Sequence, residues 1–124
     1  MAFTGHILVV EDNASYRRIV VRLLERAGFA VSEAPDFAQA MKVIEGPLPL
    51  DLLLSDIGLG AGAPHGFSIG SIARARRPAL PIIYMTGGED AAQFSLNAGD
   101  SIVLRKPFSA DQLIATIRQA LAGD

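Results

Sequence analysis

The chain has no cysteine and no tryptophan, only two histidines, and aromatic residues make up 6% of its 124 positions. Without cysteine, disulfides, thiolate catalysis and cysteine-ligated metals are excluded, and the composition fits a reducing compartment, so the cytoplasm is the expected location. His6 and His65 are too few and too separated to hold a metal, and His65 is expected to be a solvated loop residue. No apolar run approaches the ~18 residues of a membrane span. Glu11 and Asp12 stand where a signal peptide needs its apolar region, so neither export nor membrane insertion is expected. The formal net charge is −2 with mixed signs, which leaves no footprint for nucleic acid. Arg74, Arg76 and Arg77 do cluster, and the end of a helix, where cations suit the macrodipole, explains them.

Half of the residues are hydrophobic, enough for one core, and the chain reads as a single domain over 1–124. Strand and helix patterns alternate along it. Ile7 to Val10 is a strand-length apolar run. Asn13 can then cap a helix whose buried stripe is Tyr16, Ile19, Val20, Leu23, Leu24 and Ala27, ended by Gly28. Ala30 to Ala34 is a more polar strand, followed by a helix capped by Asp36 and Gln39 that buries Phe37, Ala40, Met41 and Ile44. Leu50 to Leu54 runs into Ser55 and Asp56 as a strand buried on both faces. A weaker helical pattern from Phe67 to Arg77 stops at Pro78, and Pro81 to Met85 makes the fourth strand. A short helix is expected from Asp90 to Ala98, closed by Gly99, and a fifth strand from Ile102 to Leu104. Ser109 and Gln112 form a capping box ahead of Leu113, Ile114, Ile117 and Leu121.

This alternation predicts an α/β doubly wound fold, a five-stranded parallel sheet with helices on both faces. The first, third and fourth runs are nearly all apolar while Ser32 and Glu33 interrupt the second, which places the second strand at an edge and gives the order 2-1-3-4-5. That order puts a switch point between the first and third strands, so Glu11, Asp12 and Asp56 face one crevice. At an effective dielectric near 20, two carboxylates ~4 Å apart repel by roughly 4 kcal/mol, so a cation is required. Hard oxygen ligands without histidine or cysteine suit Mg²⁺. Thr86 and Lys106, at the ends of the fourth and fifth strands, add a hydroxyl and an ammonium to the same crevice. Together these describe a phosphoryl-transfer site with one aspartate as nucleophile.

The segments Val9-Val10-Glu11-Asp12-Asn13, Leu54-Ser55-Asp56-Ile57, Met85-Thr86-Gly87 and Arg105-Lys106-Pro107-Phe108 resemble the receiver domain of two-component response regulators, and the match runs along almost the whole chain. The resemblance implies the flavodoxin-like version of the fold. It also implies that Asp56 accepts a phosphoryl group from a phosphohistidine of a sensor kinase or histidine phosphotransfer protein. Asp12 and Asp56 are then direct Mg²⁺ ligands, Glu11 acts mainly through water, and the Gly58 carbonyl completes the protein's share. Thr86 resembles the switch hydroxyl and Lys106 the lysine that contacts the phosphoryl group, with a cis Lys106-Pro107 bond aiming its ammonium into the site. Such a domain catalyses its own phosphorylation and dephosphorylation and turns over no separate substrate. The expected partners are that kinase or phosphotransfer protein and an output protein reached through the surface of the 90–98 helix and fifth strand, with Phe94 as contact, and the chain is a monomer or weak homodimer.

Two departures from the family pattern stand out. Val103 occupies the position that usually carries the aromatic ring that swings inward with the threonine, and Ala63-Pro64-His65-Gly66 lacks the acidic residue common before that glycine. Gly58 and Gly88 leave the surroundings of the site small, which suits a hydrolysable phosphoryl group. A haloacid dehalogenase type enzyme needs a second acid two residues after its nucleophile, where this chain has Gly58. The remaining alternative is a receiver-like interaction module that is not phosphorylated, against which the acid trio, Thr86 and Lys106 argue. The chain as given has no room for a DNA-binding or catalytic output domain.

Overall fold

Short β-branched and leucine-rich runs bounded by turn residues become strands, the three central ones buried on both faces, and amphipathic runs between them become the helices that cover those faces. The computed structural model describes residues 5–57, 66–87 and 101–122. Its elements are β1 (His6–Val10), α1 (Ala14–Arg26), β2 (Ala30–Ala34), α2 (Phe37–Glu45), β3 (Leu52–Asp56), α3 (Gly66–Arg76), β4 (Ile82–Thr86), β5 (Ile102–Arg105) and α4 (Ala110–Leu121). The helix expected over 90–98, with Phe94, lies outside the described residues, as does His65. The sheet order is β2-β1-β3-β4-β5 with every neighbour parallel. That is the doubly wound order expected from strand polarity.

The two faces bury separate cores. Leu8, Val10, Leu53, Ile82 and Tyr84 meet Ala40 and Ile44 of α2 and Ile69 and Ala73 of α3 on one side. Ile7, Val9, Leu52, Leu54, Ile83 and Met85 meet Val20, Val21 and Leu24 of α1 and Leu113 and Ile117 of α4 on the other. The caps form where the sequence places them: Asn13 accepts from Tyr16 N, Asp36 accepts from Gln39 N, and Ser109 and Gln112 make a complete capping box. The arginines at the end of α3 tie this helix to its surroundings, with Arg74 donating to the Leu80 carbonyl and Arg77 to those of Ile44 and Gly46.

Two expectations are corrected. Ile19, placed in the buried stripe of α1, is 55% exposed, and Val21 is buried instead. Arg17 accounts for this turn of the helix. It pairs with Glu33 of β2 at 2.9 Å and donates to the Glu11 carbonyl at 2.8 Å, so α1 is turned about its axis toward β2. Leu50 stays outside β3, because the Asp51 side chain accepts the His6 N–H at 2.7 Å and Asp51 N donates to the His6 carbonyl, forming a bend there.

Candidate functional site

At the carboxyl end of the sheet, β1 and β3 are neighbours, and β1 stops where Glu11 begins. The Glu11 N–H still donates to the Ala34 carbonyl at 3.1 Å, so the residue is held in the line of the ladder although it lies beyond the strand. Its side chain is buried, 1% exposed, which requires partners for both oxygens. Oε1 accepts from Lys106 Nζ at 3.0 Å and Oε2 from the Asn13 N–H at 3.1 Å. Asp12, next in the chain, is exposed at the rim. Asp56 is the last residue of β3 and is buried, with Oδ2 3.5 Å from Lys106 Nζ. A carboxylate oxygen from each of Glu11, Asp12 and Asp56 lies within 4.8 Å of the others.

The fifth strand delivers Lys106 and the fourth delivers Thr86. Their main chains are joined, since Lys106 N donates to the Thr86 carbonyl at 2.7 Å, and the Thr86 side chain is buried at the end of β4. The Lys106-Pro107 bond is cis, as the resemblance implies. Lys106 supplies part of the positive charge that the crowded carboxylates require, as expected from sequence. Burial pulls its ammonium down, but Asp56 and the bond and charge of Glu11 outweigh that and raise its pKa above the ordinary 10.5. Glu11 moves up from 4.5, first because burial penalises its charge and then because Asp56 is near, against the lowering effect of the Asn13 N–H and Lys106. The donor set is all oxygen, with a rim carboxylate beside two buried ones, and this fits a hard divalent cation such as Mg²⁺. The Gly58 carbonyl expected to join it lies outside the described residues, as do Gly88 and 58–65.

Two aromatic residues carry placements that the sequence reading did not anticipate, one at the site and one in the core. Tyr16, placed in the core stripe, lies against Lys106, with Nζ 4.5 Å from its ring centroid. The available signal was its position in the first turn of the helix that follows the acid pair, the turn that opens at the carboxyl end of the sheet. Tyr84 is the other. It pairs in register with Val103, so both side chains share one face of the sheet, and Tyr84 is 4% exposed in the core that Val103 flanks.

Residues 7–118 match the family model described as the response regulator receiver domain. Similar curated proteins include the phosphate regulon transcriptional regulatory protein PhoB of Escherichia coli, 35% identical over 93% of this chain and 51% of the relative. The DNA-binding transcriptional regulator NtrC of the same species is 31% identical over 95% of this chain and 25% of its own length. The chain thus spans about half or less of these relatives. Among solved structures, a response regulator receiver protein from Sinorhizobium medicae superposes with a TM-score of 0.87 at 30% identity, covering 96% of this chain and 95% of that one. A CheY-like receiver domain protein from Methanospirillum hungatei gives 0.84 at 28% identity, over 97% and 95%.

Proposed function

Because the chain belongs to the response regulator receiver domain family, we propose that residues 1–124 act as one phosphoacceptor domain, with Asp56 taking a phosphoryl group from a phosphohistidine of a sensor kinase or phosphotransfer protein. The observation that carries this reading is the Lys106 ammonium held between Glu11 and Asp56 at the carboxyl end of the sheet. In the transfer, an Asp56 carboxylate oxygen forms a bond to phosphorus as the donor's N–P bond breaks. The electron pair leaves with the imidazole, which carries a proton on its other nitrogen and departs neutral. The charge of the transferred group must be met without a second substrate or a general base.

Glu11, Asp12 and Asp56 would hold Mg²⁺, which when bound neutralises charge on the phosphoryl oxygens. Lys106 needs only to exchange its Asp56 contact for a phosphoryl oxygen while keeping Glu11. The Thr86 hydroxyl, at the end of the neighbouring strand, then turns toward the same group. Its movement is passed on through the Thr86 to Lys106 main-chain bond, so output is read from the surface that follows β4 and includes β5 and the 90–98 segment with Phe94. The partner classes are a phosphohistidine donor and an output protein, in the cytoplasm, with the chain a monomer or weak homodimer.

The test is incubation with acetyl phosphate and Mg²⁺ followed by intact mass. The wild type should gain one phosphoryl group and Asp56→Asn none, with the fold of the variant intact. Equal labelling of Asp56→Asn would overturn the assignment, and a wild type that never labels would leave the interaction module as the function.

A further inference from the structure

We propose that Tyr16 is a positioning residue for phosphoryl transfer, its ring serving as the platform that holds the Lys106 ammonium at Asp56. The proposal rests on the reading of Asp56 as the phosphoacceptor. A lysine ammonium is a compact charge on a long, freely rotating stem, so an ammonium that must stay in place while its partner changes needs more than one ion pair. Glu11 and Asp56 approach Lys106 from the ends of β1 and β3. Tyr16 approaches from α1, with the ammonium 4.5 Å from its ring centroid, inside the ~6 Å reach of a cation–π contact.

Tyr16 is itself fixed at its backbone and at its ring. Its backbone N–H donates to the Asn13 side chain at 2.9 Å in the cap of α1, which fixes where the residue starts. Its edge meets Phe108 with centroids 6.1 Å apart and planes at 68°, the edge-to-face arrangement that aromatic pairs prefer. Phe108 is two residues beyond Lys106, so the segment that carries the ammonium also packs against the ring beneath it. The attraction of a ring face for a cation does not depend on which oxygen the cation faces. The contact therefore persists when Lys106 turns from Asp56 to a phosphoryl oxygen, whereas the Asp56 ion pair does not.

An aliphatic side chain fills similar space but lacks the negative face of the ring, which separates positioning from packing. The experiment measures the rate of Asp56 labelling by acetyl phosphate at saturating Mg²⁺ in the full chain for wild type, Tyr16→Phe and Tyr16→Leu, each also with Lys106→Met. Tyr16→Phe should stay within about twofold of wild type, because the ring is kept, and Tyr16→Leu should fall about tenfold. With Lys106→Met the change from Tyr16 to leucine should have no further effect. Equal rates for the phenylalanine and leucine variants, or a leucine effect that survives Lys106→Met, would overturn the proposal. So would a tenfold loss in Tyr16→Phe, which keeps the ring and decides the matter even where Tyr16→Leu fails to fold. A wild type that does not label defeats the reading of Asp56 instead, so the two failures are distinct.

Discussion

Glu11 is buried beside the Lys106 ammonium with Asp56 near, and its raised pKa makes it a source of pH-dependent stability. A carboxyl whose folded pKa lies above its unfolded value binds a proton in the native state at a pH where the unfolded chain has lost it. Stability then falls as pH rises from about 4.5 through the raised folded value. Lys106, whose pKa is raised from 10.5, is charged in both states across this range, so it adds no slope there. In metal-free buffer, the melting temperature of Glu11→Gln minus that of wild type should therefore increase as pH goes from about 4 to 7. A difference that is flat or decreases would show that Glu11 is not held against its charge. Asp12, exposed at the rim, has a smaller part. Asp12→Ala should raise the metal-free melting temperature by about 2 °C, as expected for relief of one screened repulsion. The variant should also lose the stabilisation that wild type gains from Mg²⁺, which is about 1.4 kcal/mol at ten times Kd. Thermal melts with and without Mg²⁺ measure both, and a lower metal-free melting temperature would count against the crowding of the trio.

Between elements, the contact of α3 with β4 turns on the pair Gly70 and Tyr84. A Cβ built on Gly70 would overlap the Tyr84 hydroxyl and press on the ring carbon that bears it. Glycine in mid-helix costs about 1 kcal/mol relative to alanine, so its presence in α3 is explained by the ring that needs the space. Gly70→Ala should destabilise by about 1–2 kcal/mol despite the better helix propensity, because overpacking exceeds the propensity gain. In a Tyr84→Phe background the same change should cost less, since the atom that collides first is gone. Urea melts of the four proteins would show it, and equal costs in both backgrounds would mean that Tyr84 is not what excludes the side chain.

At the scale of the molecule, the sheet separates two cores, so a change at one end must choose a face through which to travel. Thr86 and Lys106 are joined through their main chains, and both lie at the β4 to β5 side of the site, away from α2. On the proposed mechanism, with Val103 in place of an aromatic ring, the hydroxyl and the lysine would carry the difference between states. Addition of beryllofluoride and Mg²⁺ should therefore change hydrogen exchange mainly between Thr86 and Arg105, with α2 unaffected. Changes centred on α1 or α2, with none between Thr86 and Val103, would rule that route out. Among the described residues no helix is long and apolar enough to cross a membrane, and every strand has its place in one sheet.

The sequence by itself determined what depends on near neighbours. Strand-length apolar runs, caps at Asn13, Asp36 and Ser109, and the polarity of Ser32 and Glu33 suffice for the elements and for the strand order, and that order brings Glu11, Asp12 and Asp56 to one crevice. The rotation of α1 was not legible, because hydrophobic periodicity fits several neighbouring arcs and the choice among them was made by Arg17 reaching Glu33 on another strand. Nor was the placement of Tyr16 on Lys106, or of Tyr84 over Gly70. Lys106 and Glu11 are 95 positions apart, and whether an ammonium sits on a given ring depends on distances of a few ångströms set by packing across the sheet. Periodicity carries no information at that range, so only the tertiary structure decided it.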